Sequence, residues 1–85
     1  MEREITFDGF DGPDLVCPFI NVWSDYNKRK KSVIKAKHGE RGVLLERRGN
    51  ACKVRIKREG QKAKVGWVTF WFIKQLKLKW QEGRT

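Results

Sequence analysis

The sequence predicts a small all-β domain, a barrel or sandwich of short antiparallel strands, and three observations carry that expectation. Runs of β-prone residues are separated by turn-forming clusters at intervals of about 8–12 residues. The segment Ala51 to Arg58 alternates cleanly, with Cys52, Val54 and Ile56 on one side and Lys53, Arg55 and Lys57 on the other. That is the two-residue period of a half-buried strand. No stretch shows a sustained 3.6-residue apolar period, and no repeat or low-complexity linker interrupts the chain.

The elements follow in chain order. Ile5-Thr6-Phe7 is a short lead-in, and Asp8 to Asp14 packs two glycines, a proline and three aspartates into one loop. Those aspartates lack the alternate oxygen ligands and the closing acid of a calcium loop. Leu15 to Trp23 is almost continuously apolar and predicts one strand covered on both faces, with Pro18 at an edge or bulge. Ser24 to Ser32 is a polar loop that includes the run Lys28-Arg29-Lys30-Lys31. Strands are expected over Ser32 to Lys37, ending at His38-Gly39, from Gly42 through Glu46, over Ala51 to Arg58 and over Val65 to Phe70, with turns at Gly39-Glu40-Arg41-Gly42 and Arg48-Gly49-Asn50. Phe70 to Ile73 fits a single helical turn, Leu76 to Trp80 resumes strand-like alternation, and residues 81–85 fray. The organisation expected is an acidic, partly flexible lead-in (1–14), a β-domain (15–80) and a frayed tail (81–85).

Gly66-Trp67-Val68-Thr69-Phe70-Trp71-Phe72-Ile73-Lys74-Gln75-Leu76 resembles the closing segment of Src-homology-3 (SH3) and bacterial SH3-like domains. The pattern from His38 to Leu45, with Gly49 and Cys52 to Ile56, is similar to the glycine-turn and strand pattern of KOW-type modules, which contact RNA or DNA. The resemblance implies an SH3-like antiparallel barrel of five to six strands with a single 3₁₀ turn near the C-terminus. It departs from the peptide-binding SH3 domains where their function lies. Lys28 to Lys31 occupy a loop that is acidic in those domains, Thr69 stands at their proline, and Phe72 stands where a tyrosine hydroxyl would be. A groove of this sign is wrong for basic proline-rich ligands.

The 85 residues carry 20 Lys+Arg against 10 Asp+Glu, a net charge of +10, and are 39% hydrophobic. The charge is polarised: residues 1–26 hold one base against six acids, and all other bases follow. A basic body of this size attracts polyanions, nucleic acid first and anionic surfaces second. A chain this short buries about 60–65% of its unfolded surface and has little room for a deep catalytic cleft. His38 is the only histidine and no Cys-x-x-Cys occurs, so neither a zinc site nor a nucleophile–base pair is indicated, and no cofactor is expected. Cys17 and Cys52 fit a reducing compartment, although a disulfide between them stays open at this level. The acids of Met1 to Glu4 and the absence of a long apolar run predict a cytoplasmic chain without membrane contact.

The expectation is a non-enzymatic module that binds DNA or RNA through a basic face with low sequence specificity. Its candidate residues are Lys28, Arg29, Lys30, Lys31, Lys35, Lys37, Lys53, Arg55, Lys57, Lys62 and Lys64 for phosphate contact, with Trp67 as a partly exposed aromatic on the ligand face. Lys77 and Lys79 share the outward alternation expected of the last strand. Trp23, Trp71, Phe72 and Trp80 are candidates for the core. The alternative is a protein-interaction or assembly adaptor that docks a partner through exposed aromatics. In a third arrangement the acids of residues 1–14 cover the basic face.

Overall fold

The computed structural model describes residues 2–25 and 31–82, the last two by their backbone only. Eight strands run β1 (Arg3–Thr6), β2 (Phe10–Asp11), β3 (Asp14–Leu15), β4 (Phe19–Trp23), β5 (Ser32–Lys37), β6 (Arg41–Arg48), β7 (Ala51–Ile56) and β8 (Lys64–Thr69). A 3₁₀ turn at Phe70–Phe72 and a helix α1 (Lys74–Glu82) complete the chain. The β-class, the central strands and the 3₁₀ turn agree with the sequence expectation.

Six strands form one antiparallel sheet in the order β1-β6-β7-β8-β4-β5, and β2 and β3 make a separate small hairpin. The meander β6-β7-β8 is local in sequence and extensively paired, with β7 and β8 in register from Ala51↔Thr69 to Ile56↔Lys64. Gly49 turns the β6–β7 hairpin at φ 58°, a conformation that glycine adopts without steric cost. β4 joins β8 through the single pair Trp23↔Trp67. Gly66 permits that close approach: a Cβ built there would lie 2.7 Å from the Trp23 carbonyl oxygen and 2.7 Å from Val22 Cγ1.

The sheet is not closed into a barrel. β1 and β5 stand at its two edges, and the segment expected to supply a last short strand is helical instead. The physical reason is visible in the burial. Ile73, Leu76 and Lys77 are buried, and Trp80 keeps the same face, so positions i, i+3, i+4 and i+7 form one helical stripe. Leu78, which a two-residue period would turn inward, is 49% exposed. Lys, Gln, Leu and Glu in this segment are also good helix formers. A lysine at one stripe position hides the helical period from a hydropathy reading.

Two further expectations change. The strand expected over Leu15 to Trp23 begins only at Phe19, because Val16 and Cys17 turn their amides onto the Gly9 carbonyl, each at 3.0 Å. Leu15 and Val16 are therefore exposed. The core is also mainly aliphatic: Ile5, Ile20, Val22, Ala36, Leu44, Cys52, Val54, Ile56, Val68, Ile73 and Leu76 are buried, and among the described residues Phe7 is the fully buried aromatic. Trp23, Trp71 and Phe72 are half-buried and Trp80 is 40% exposed, so they border this core and do not fill it.

Ile5 and Phe7 bring the start of the chain into the structure. Phe7 bridges Ile73, Asp8 N–H donates to the Phe72 carbonyl at 2.8 Å, and Gln75 Oε1 accepts from Thr6 N–H at 2.9 Å. Lys77 completes the seam. Its ammonium is 6% exposed as a residue, donates to the Phe10 carbonyl at 2.6 Å, sits 3.4 Å from Asp8 Oδ2 and lies over the Trp71 ring. Lys77 is thus a packing residue, not an outward cation.

Candidate nucleic-acid interface

Strand alternation sorts the side chains of the sheet into two faces. Ile20, Val22, Ala36, Val54, Ile56 and Val68 line the inner one. The other face is built in cross-strand rows. The first row is Glu46, Lys53, Trp67 and Trp23, set by Glu46↔Lys53, Lys53↔Trp67 and Trp23↔Trp67. The next is Glu4, Val43, Arg55 and Val65. On β5, Lys35 lies opposite Asn21 and Lys37 opposite Phe19, and both lysines are exposed.

Five of the expected residues therefore share the outer face or its margin: Lys35, Lys37, Lys53, Arg55 and Trp67. Lys57 is exposed one residue beyond β7, with its ammonium hydrogen-bonded to the Gln61 carbonyl and 3.3 Å from that of Arg58. Lys31 is exposed, and its carbonyl accepts from Ser24 N–H at 3.0 Å beside the Trp23 end of β4. Lys62 is exposed in the β7–β8 loop. Lys64 is exposed but pairs with Ile56, so it has the parity of Gly66 and Val68 and leaves the Trp67 face. Lys28, Arg29 and Lys30 lie outside the described residues.

Acids reduce the charge of this face at three arginines. Glu2 meets Arg55 at 2.8 Å, Glu4 meets Arg41 at 3.5 Å, and Glu46 accepts from Arg48 Nε at 2.7 Å. The Arg48 hydrogen bond also holds the Glu46 carboxyl below the usual glutamate range. These pairs are exposed, and each contributes little to stability.

Two of the depressions lined by described residues open on this face. One, of about 340 Å³, is lined by Trp23, Asp25, Arg48, Asn50, Trp67 and Thr69. Arg48 lies over the Trp67 ring, 5.6 Å from its centroid, which fixes a cation against the indole. The other, of about 420 Å³, collects Arg41, Arg55 and Lys57 around Val43, with Glu4 at its side. Sequence reasoning missed Arg48 and left Trp23 in the core. Their signal was present in part: Arg48 borders the Gly49 turn, but a bulge between Leu44 and Glu46 sets its face, and the pairing of Trp23 to Trp67 joins residues 44 apart.

Both cysteines are free thiols. Burial raises the Cys52 thiol above its ordinary range, and Cys17 is half-buried at the β2–β3 hairpin. Among the described residues no group of three His, Cys, Asp or Glu is placed to hold a metal, and no helix is long and apolar enough to cross a membrane.

The fold and this surface define a small, mostly β domain built on one antiparallel sheet, with a mixed basic and aromatic outer face. Comparison with family models, curated proteins and solved structures finds no match to this chain.

Proposed function

We propose that this protein is a non-enzymatic nucleic-acid-binding module that uses the outer face of its sheet, with low sequence specificity. The observation that carries the reading is the alignment of Lys53 and Arg55 beside Trp67 on adjacent strands, with Lys35 and Lys37 farther along the same outer surface. Lysines supply phosphate neutralisation, and the aromatic supplies a base-sized apolar surface. The meander followed by a 3₁₀ turn supports an SH3-like ancestry, with α1 in place of the last strand. A cytoplasmic site of action fits two free thiols.

The test is a titration of labelled DNA and RNA at two salt concentrations. Binding at low salt that weakens steeply with added salt is expected. An affinity indifferent to salt, or none at low salt, would overturn the reading.

One observation favours a second reading, the assembly adaptor. Phe10, Leu15, Val16 and Phe19 are 37–58% exposed, and Phe10 pairs with Leu15 across the β2–β3 hairpin. Concentration-dependent self-association or capture of a defined partner that Val16→Ser and Phe19→Ser abolish would support it.

A further inference from the structure

We propose that Arg41 and Arg55 form a clamp for two successive phosphates of one nucleic-acid strand, and that the Glu2 and Glu4 carboxylates stand in for those phosphates until the ligand exchanges with them. The inference rests on the nucleic-acid reading above. It gives that ligand a fixed point of contact and gives two acids of the leader the role of internal competitor.

Strand register gathers the two guanidiniums. Val43 lies opposite Glu4 on β1 and opposite Arg55 on β7, and Arg41 shares the face of Val43 two residues before it. Arg41 and Arg55 are therefore diagonal neighbours across the β6–β7 pair, about 7–8 Å apart at the backbone. β1 and β7 are not adjacent in the sheet, so the 2.8 Å contact of Arg55 with Glu2 carries this guanidinium across β6 toward the β1 edge. Arg41 meets Glu4 at 3.5 Å on the same edge strand. Lys57 adds a third cation to the depression of about 420 Å³ that both arginines line.

The clamp already holds two anions. Glu2 and Glu4 are two residues apart at the start of β1, and an extended backbone separates such positions by about 7 Å. Successive phosphates along a nucleic-acid strand have a similar separation, and a guanidinium offers a phosphate the same paired donors as a carboxylate. Exchange disturbs little of the protein. The two side chains are 59% and 69% exposed and can swing into water, while buried Ile5 keeps β1 seated. An acidic peptide repeating the leader's contacts would instead need the position of β1, which is paired with β6 from Arg3 to Thr6. A nucleic-acid strand displaces two side chains only and can continue from Arg55 to Lys53, two residues along the same face of β7.

The probe is a labelled oligothymidylate, titrated against the full chain over a range of salt concentrations, with a polyglutamate chain as the second ligand. The variants are Arg41→Gln, Arg55→Gln, Glu2→Gln and Glu4→Gln. Two controls change the same charges elsewhere: Lys79→Gln on α1, which lines a different depression, and Asp14→Asn on the β2–β3 hairpin. Circular dichroism checks the fold of each. Arg41→Gln and Arg55→Gln are each expected to weaken oligothymidylate binding severalfold at low salt. Each should also flatten the plot of log affinity against log salt by about 0.7, the contribution of one single-strand phosphate contact. Glu2→Gln and Glu4→Gln are each expected to tighten binding severalfold, and both controls to leave affinity within twofold of wild type.

Losses for Lys79→Gln equal to those for the two arginine variants would overturn the clamp while leaving the basic-face reading intact. Tightening by Asp14→Asn equal to that by Glu4→Gln would show that net charge alone acts, and would overturn the exchange. Tighter binding of polyglutamate than of oligothymidylate, abolished by Arg41→Gln, would assign the clamp to an acidic protein segment and overturn the proposal. Failure of oligothymidylate to bind any form at low salt would overturn both this inference and the reading it rests on.

Discussion

Arg58 closes on Glu40 with two hydrogen bonds, Nε to Oε2 at 2.8 Å and Nη2 to Oε1 at 2.9 Å. The same Nη2 donates to the Lys35 carbonyl at 2.7 Å, and Glu40 Oε1 also accepts from Lys37 N–H at 3.0 Å. One guanidinium thus fastens the loop after β7 to the end of β5 and to the turn that follows it. This two-point geometry is stronger than an ordinary surface ion pair.

Glu40→Gln is expected to cost about 1.5–3 kcal/mol at neutral pH, measured by urea unfolding. The Arg58 hydrogen bond holds the Glu40 carboxyl below its usual range, against partial desolvation that pushes it up. A depressed carboxyl stabilises the fold above the ordinary glutamate range and loses that contribution as pH falls through its lowered value. The gap between wild type and variant should therefore be constant near neutrality and shrink in acid. A gap that persists in acid would show that the carboxylate charge does not carry it.

Asp8→Ala should destabilise more than Lys77→Met. The first leaves a nearly buried ammonium without its carboxylate and removes the acceptor for Phe10 N–H, for a loss of about 2–4 kcal/mol. The second replaces the cation with an apolar chain of similar length in a site walled by Trp71. Thermal denaturation of both variants, and of the double variant, measures the coupling. Equal costs would mean that the ion pair is not what holds α1 to the first loop.

Gly66→Ala tests the joint between β4 and β8. The new methyl would meet the Trp23 carbonyl, Val22 and Val33 at 2.7–2.8 Å, and backbone cannot step aside as a flexible side chain can. A loss of about 1–3 kcal/mol is expected, with altered tryptophan fluorescence as Trp23 separates from Trp67. An unchanged melting temperature would contradict the close packing.

The thiols should react at different rates. With an aromatic disulfide reagent at neutral pH, Cys17 is expected to react in the native protein and Cys52 only on unfolding, because Cys52 is fully buried and its thiol is held protonated by burial. Simultaneous reaction of both would show that β7 opens readily.

Glu2 and Glu4 stand against Arg55 and Arg41, so part of the acidic leader lies on the candidate face. Deleting residues 1–14 would remove β1 and Phe7 from the core, and charge-neutral substitution is the cleaner test. Glu2→Gln with Glu4→Gln should tighten polyanion binding severalfold at low salt, read by the same titration. An unchanged affinity would rule out masking by these two acids.

The candidate site was legible in part. Lys35, Lys37, Lys53 and Arg55 were readable because each sits in a strand whose alternation fixes its face. Lys64 was expected in the basic loop that ends before Val65 and instead opens β8 opposite Ile56, and Lys77 was expected to face outward because a buried lysine looks like a solvated one until its partners, Asp8 and the Phe10 carbonyl, are known. The depression lined by Trp23 and Trp67 was not legible, since its two tryptophans come from strands joined by one long-range pair.

By itself the sequence determined the β-class, the meander from Arg41 to Thr69, the Gly49 turn, the 3₁₀ turn and the polarised charge. These follow from local φ preferences, two-residue periodicity and simple counting, none of which needs a distant partner. Only the tertiary structure decided that Lys74 to Glu82 is a helix, that the sheet stays open between β1 and β5, and that Trp23 meets Trp67. The helix depends on a stripe whose third member is a lysine neutralised by a residue 69 positions earlier. The meeting of the tryptophans depends on a glycine that lets two backbones touch. Both are long-range juxtapositions, and local pattern carries no term for the partner that makes them favourable.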